Sequence, residues 1–299
     1  MVRLCRFMVT PVDRSFQGLF VGLMTLDLVY QTERLPSANE KRVASDYTVA
    51  AGGPATNAAV TFCHLGHRAS VLGVLGSHPL THLICTDLET CGVAISDLAP
   101  DRTEPPPVSS ILVTETTGER AVISINAINA QATTEQIPDA ILSGIDIVLL
   151  DGHQMQIGWA IAQQARHHQI PVVVDGGSWK PGFETVLSLA DYAICSANFH
   201  PPKCQTDTEV MAYLASLGIP HLVITHGEQP IHYQTHGQEG WLEVPSVPVV
   251  DTLGAGDIFH GAFCSSILQT NFLAALTQAA QVAALSCQSF GTRRWMQAN

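Results

Sequence analysis

Short apolar runs recur along the chain at 19–21, 69–75, 145–150, 171–175, 192–195 and 221–225. Between them lie stretches with helical spacing, at 55–65, 80–91, 156–167, 183–190 and 208–217. A strand that is apolar at successive positions is buried on both faces. Such strands, separated by helices, predict an α/β protein with a doubly wound, mainly parallel sheet. Right-handed crossovers then bring the strand C-termini to one edge, where such sheets bind ligands.

Two segments, 28–50 and 109–127, alternate with period two instead. In the first, Val43, Tyr47 and Val49 share one face, and Arg42, Asp46 and Thr48 the other. In the second, Thr116-Thr117-Gly118-Glu119 reads as a hairpin turn between 111–113 and 122–125. Together they predict a small, half-exposed antiparallel β lid, entered through Pro105-Pro106-Pro107. A late hairpin, 230–235 with 241–244, is expected at the edge of the large sheet. Residues 1–16 carry Arg3, Arg6, Asp13 and Arg14, and their apolar run is too short for a signal peptide. They read as a flexible extension, which leaves 17–299 as one domain with its lid.

Composition narrows the function. A chain of 299 residues that is 46% hydrophobic can bury a large core. A net charge of −12 without a basic run argues against nucleic acid and anionic membrane as partners. No apolar run reaches the roughly 18 residues of a membrane span. The eight cysteines form no C-x-x-C pair and read as free thiols, so a cytoplasmic location is expected. The thirteen histidines show no metal-ligand spacing, and no side chain is assigned to a metal.

The densest chemistry lies in Asp251-Thr252-Leu253-Gly254-Ala255-Gly256-Asp257, between an apolar run and a helix-like stretch. Two glycines and an alanine at a loop-to-helix junction leave backbone N–H groups bare, and a helix N-terminus there attracts an anion. A carboxylate, Asp257, sits on the first turn. Like charges repel, so a carboxylate beside an anion hole makes sense as a base for a hydroxyl that attacks phosphorus.

This segment resembles the C-terminal signature of the ribokinase-like (PfkB) carbohydrate kinases, Asp-Thr-x-Gly-Ala-Gly-Asp, at all six specified positions. Two more family features stand in order. Gly22-Leu23-Met24-Thr25-Leu26-Asp27 matches an early Gly-x-x-x-x-Asp at the first strand, and Gly52-Gly53-Pro54-Ala55-Thr56-Asn57 a Gly-Gly pair opening a helix. The resemblance runs from about Gly18 to Gly291. It implies a ribokinase-like three-layer sandwich whose β lid covers the sugar and often makes dimer contacts. It implies ATP-dependent phosphorylation of a sugar hydroxyl, with Asp257 as base and Gly254, Ala255 and Gly256 as anion hole. Asp27, Gly53 and Asn57 carry over to the sugar, and Thr225 and Gly227 to the nucleotide. Asp251 and Thr252 carry over with the motif at the nucleotide side, a capping role for Asp251 being equally open.

The family's Asn-x-x-Glu, which helps place magnesium through water, falls on Ser196–Phe199, where no acid stands. Mg2+ is therefore expected to be held mainly through nucleotide phosphates and water, and Phe199→Glu to restore the acid if Ser196–Phe199 is the matching stretch. Lys180 stands near where many relatives have an arginine. There is no G-x-G-x-x-G after the first strand and no G-x-x-x-x-G-K-[S/T], which argues against dinucleotide and P-loop enzymes. A catalytically silent kinase-like binding protein and a nucleoside kinase remain as alternatives, and the acceptor sugar stays open.

Overall fold

A computed structural model describes residues 14–297. Most of the extension expected over 1–16 lies outside the described residues. Phe16 does not belong to it: its carbonyl accepts from the Arg68 N–H at 3.0 Å, and its ring packs on the core.

The chain runs through β1 (Gln17–Val21), β2 (Thr25–Thr32), β3 (Asp46–Gly52), α1 (Pro54–His64), β4 (Arg68–Gly73), α2 (Thr81–Thr90) and β5 (Val93–Asp97). There follow β6 (Val108–Thr114), β7 (Arg120–Ser124), β8 (Ile147–Leu150), α3 (Met155–His167), β9 (Val172–Gly176), α4 (Phe183–Leu187) and β10 (Tyr192–Ser196). The last elements are α5 (Asp207–Ser216), β11 (His221–His226), β12 (Gln229–Thr235), β13 (Gln238–Leu242), α6 (Ala255–Ile267) and α7 (Phe272–Ser286).

The large sheet has nine strands in the order β13-β12-β11-β10-β9-β8-β1-β4-β5. All pairs from β11 to β5 are parallel, and the hairpin β12–β13 adds an antiparallel edge. Alternate residues of one strand enter two separate cores. Val148, Leu150, Val172 and Val174 pack with Ile157 and Ile161 of α3 and Val210 of α5. Ile147, Leu149 and Val173 pack with Ala58 and Phe62 of α1, Phe263 of α6 and Leu276 of α7. This two-sided burial is why the strand sequences are apolar throughout. The result is a three-layer α/β sandwich.

The second sheet has four strands in the order β3-β2-β6-β7. Its outer pairs are antiparallel, but β2 and β6 run parallel, because each leaves the large domain separately and in the same direction. The lid starts at Thr25 rather than residue 28, and 33–45 form no strand. Val43, expected to share a face with Tyr47, lies in that connection and is 86% exposed. No helix of the described residues is long and apolar enough to cross a membrane. The seven described cysteines are unbridged.

Candidate active site

Gly254 precedes α6 in a left-handed conformation (φ 71°), where a Cβ would meet the Thr292 methyl at 2.8 Å. Only glycine turns the chain here without strain. No side chain caps α6, so the first-turn N–H groups of Gly256 and Asp257 stay available, at the positive end of the helix. No heavy atom stands within 4 Å of where a Gly256 Cβ would lie, so this helix head opens on free space.

Asp257 Oδ2 accepts a 2.8 Å hydrogen bond from Asn57 Nδ2. Burial pushes the Asp257 pKa up to about 7, helped by the negative charge of Asp175, while the Asn57 bond, His260 and Arg120 oppose the rise. Asn57 is held from its other side. Arg293 donates to Asn57 Oδ1 at 3.0 Å, to the Ala51 carbonyl at 2.7 Å and to Asp87 at 3.1 Å. That bond fixes the amide so that its NH2 faces Asp257.

Asp27 does not end the first strand as expected. It is the third residue of β2, opposite Ala50 and Ser109 in the lid. Its Oδ1 is buried and has no hydrogen-bond partner. Burial raises its pKa to about 6, against a hydrogen bond from Ser109 and the charge of Arg293. A Cβ on Gly52 would fall 1.9 Å from Asp27 Oδ2, so the Gly-Gly pair clears room for this carboxylate. Gly53, with φ 105°, starts α1, and its missing side chain accommodates the Leu23 carbonyl 2.2 Å from the Cβ position.

Other expected site residues are placed differently. Asp251 accepts from the N–H of Leu253 and of Gly291, both at 2.8 Å, which orders the motif loop. Thr252 Oγ1 accepts from Arg120 at 3.0 Å and donates to the Gly118 carbonyl at 3.3 Å. Both motif side chains, expected at the nucleotide, are thus taken up within the protein. Thr225 ends near the rim of β11, with its hydroxyl on the Cys195 carbonyl at 3.4 Å, and Gly227 turns the chain with φ 64°. Among the described residues, no hydrogen bond links either to 251–257. Lys180 donates to the Asp151 and Ser178 carbonyls, each at 3.4 Å.

Phe199 is 1% exposed, its ring edge-on to Trp179 at 5.5 Å and Phe183 at 5.4 Å. The expectation that Phe199→Glu restores a magnesium acid is therefore wrong. It would bury a charge among aromatic rings, which costs several kcal/mol or more. Among the described residues, no three His, Cys, Asp or Glu side chains group closely enough to hold a metal.

Sequence reading missed three supports of the site. Asp151, just after β8, accepts from the N–H of Leu23 and Ala55, pinning the start of β2 to the start of α1. Burial works against its charge, but the His153 side chain and the N–H groups of Leu23 and His153 hold its pKa below the usual carboxylate value. Arg120 joins the lid to the motif loop through the Thr252 carbonyl at 3.1 Å and the Thr252 hydroxyl. Arg293 comes from the far C-terminus. Asp151 carried a usable signal, a carboxylate at the C-terminal end of a buried parallel strand.

Comparison with known proteins identifies the family. Residues 18–299 match the pfkB family carbohydrate kinase profile. The ribokinase of Bacillus subtilis is 26% identical over 285 residues, covering 92% of this chain and 94% of that protein. The ATP-dependent ribose-1-phosphate kinase of Halopiger xanaduensis is 25% identical and covers 84% of each chain. The Arabidopsis thaliana ribokinase structure, complexed with ribose and ATP, superposes with a TM-score of 0.74 at 21% identity, over 96% of this chain and all of the other. The chain belongs to the pfkB family of carbohydrate kinases, phosphotransferases with an alcohol group as acceptor.

Proposed function

We propose that this chain transfers the γ-phosphoryl group of ATP to a hydroxyl of a sugar. The observation that carries the reading is the 2.8 Å bond from Asn57 to Asp257, which ties the carboxylate on the first turn of α6 to α1. Asp257 takes the proton of the attacking hydroxyl. The transition state is loose and that proton leaves late, so Asp257 mainly orients the hydroxyl. The backbone of Gly254, Ala255 and Gly256, with the bare first turn of α6, carries the charge on the moving phosphoryl group. Asp27 and Asn57 bind sugar hydroxyls. The unpartnered Asp27 Oδ1 calls for a donor, and a hydroxyl is one. Thr225 and Gly227 contribute to the nucleotide side, while Asp251, Thr252 and Arg120 act by shaping the loop. The ribokinase and ribose-1-phosphate kinase names of the relatives favour a sugar-type acceptor.

Magnesium supplies charge neutralisation between the β- and γ-phosphates when it accompanies the nucleotide. On this reading no side chain is assigned to the ion, which nucleotide phosphate oxygens and water would carry. The outer face of the lid supports a homodimer. Tyr47 and Ile123 are 65% and 79% exposed there, beside Tyr30 and Val49.

A coupled ADP-release screen over free sugars, sugar phosphates, sugar acids and nucleosides tests the reading. A sugar that raises ADP release well above the rate with water alone supports it. Selective turnover of nucleosides moves the assignment to a nucleoside kinase. Tight ATP binding with no acceptor-dependent release over the whole panel favours the silent binding protein.

A further inference from the structure

Arg293 lies in the turn that follows α7. A guanidinium carries N–H groups on three nitrogens in a fixed planar fork, and here all three nitrogens are engaged. Nη1 donates to Asn57 Oδ1 at 3.0 Å and to Thr292 Oγ1 at 3.1 Å. Nη2 donates to the Ala51 carbonyl at 2.7 Å and to Asp87 Oδ2 at 3.1 Å. Nε donates to the same Asp87 oxygen at 3.2 Å. Asp87, on α2, also accepts from the Ala51 N–H at 3.0 Å. Both peptide groups of Ala51 are thus gripped by one ion pair. Its side chains are only 13% and 21% exposed, so solvent screens it little.

The pair joins the two halves of the acceptor site. Ala51 belongs to β3, the edge strand of the lid, and the preceding Ala50 stands opposite Asp27. Asn57, on α1, donates to Asp257. One guanidinium therefore holds the root of the lid beside Asp27 and, directly, the side chain that meets the base. The same segment braces the motif loop, where the Gly291 N–H donates to Asp251 at 2.8 Å. With Oδ1 of Asn57 engaged by Arg293, its NH2 faces the site. One hydrogen goes to Asp257 and the other is left for a sugar oxygen.

We infer that the Asp87–Arg293 pair is a positioning element for the acceptor, holding the Asn57 amide and the lid root beside Asp27 in one fixed relation to Asp257. The inference rests on the phosphotransfer reading, with Asp257 as base and Asn57 at the sugar. Arg293 and Asp87 act through Asn57 and Ala51 rather than on the reacting atoms. Shape matters here as well as charge. A lysine keeps the charge, but its single nitrogen cannot reproduce a fork that meets Asn57, Ala51 and Asp87 together.

A double-mutant cycle tests this with four proteins: wild type, Arg293→Lys, Asn57→Ala and the combination. Kinetics use ATP and the sugar turned over fastest in the ADP-release screen. Arg293→Lys should lower kcat/KM for the sugar by about thirtyfold, with KM for ATP within about threefold. In the Asn57→Ala background the same change should cost about threefold or less, because the amide it positions is gone. An equal loss in both backgrounds overturns the inference. So does wild-type kinetics in folded Arg293→Lys, or a rise in KM for ATP as large as that for the sugar, which marks a merely structural role. Asp87→Asn weakens the pair from its other end and takes the place of Arg293→Lys in the cycle if that variant does not fold. It should cost about fivefold, again suppressed by Asn57→Ala. Thermal unfolding of the same proteins reads the hold on Asn57 without turnover. The losses in Tm should fall short of their sum, and additive losses overturn the inference. Failure of the kinase reading appears elsewhere, as a wild type that turns over no acceptor or as an Asp257→Asn variant that keeps its turnover.

Discussion

In the large sheet, α-helices cover both faces, whereas the four-stranded lid packs one face against the chain and leaves apolar side chains exposed on the other. The large domain contributes Asp151 after β8 and Asp175 on β9, whose strands are held by two cores, and Asn57 on α1, which packs in one of them. The lid contributes Asp27, Ser109 and Arg120 from strands supported on one side. Its outer face carries Tyr30 and Tyr47 with rings 6.4 Å apart, and Val49 and Ile123 beside them. The comparison separates two jobs. On the proposed reading, the large domain supplies the phosphoryl side of the site and the lid the sugar side, joined by the Arg120–Thr252 contact.

If that division holds, lid substitutions act on the sugar and leave the nucleotide alone. Asp27→Ala should raise KM for the sugar by about 10²-fold, the scale of a lost charge-assisted contact, with KM for ATP within about threefold. The reverse pattern in steady-state kinetics puts Asp27 on the nucleotide side and breaks the division.

Two carboxylates with different raised pKa values sharpen it. Asp257 works as base when ionised, so kcat should rise with pH through about 7 and level off above it. Asp27 accepts hydroxyl hydrogens when ionised, so KM for the sugar should fall as pH rises through about 6. Each unit below its pKa costs about tenfold in the ionised form. A single limb common to both parameters contradicts two separate groups.

Arg120→Met removes the lid's hold on Thr252. The side chain is exposed, so the loss in kcat/KM should be modest, about fivefold, and should shrink in high salt for the wild type. No change at low salt means that the contact does not operate in solution. The smallest effect on turnover is expected from Tyr47→Ser with Ile123→Ser. Light scattering should change from dimer to monomer while kcat stays within about twofold, since neither side chain faces the site. A wild-type monomer at micromolar concentration contradicts the lid interface.

The two sheets also differ in how they appear in the sequence. Parallel strands such as Val172–Gly176 are buried on both faces, so continuous apolar runs mark them. The β6–β7 hairpin was visible through Gly118 at its turn. Asp27 was assigned to the wrong strand because Leu23, Met24 and Leu26 are all buried, so no polar break separates β1 from β2. The motif around Asp257 is contiguous and legible. Its support is not, because Arg293 reaches Asn57 across 236 residues, and nothing near either residue announces the contact. Phe199 shows a further limit. Its spacing matched a family acid, but its surroundings of Trp179 and Phe183 appear only in three dimensions.

The central claim is that Asp257 is the base of a phosphoryl transfer. Its most direct test is Asp257→Asn, which keeps shape and removes the carboxylate, compared with wild type at saturating ATP and acceptor. Initial rates of ADP release should fall by roughly 10²-fold or more, the scale of a positioned base, while ATP affinity by calorimetry stays within about threefold. A folded Asp257→Asn protein that retains wild-type turnover contradicts the account.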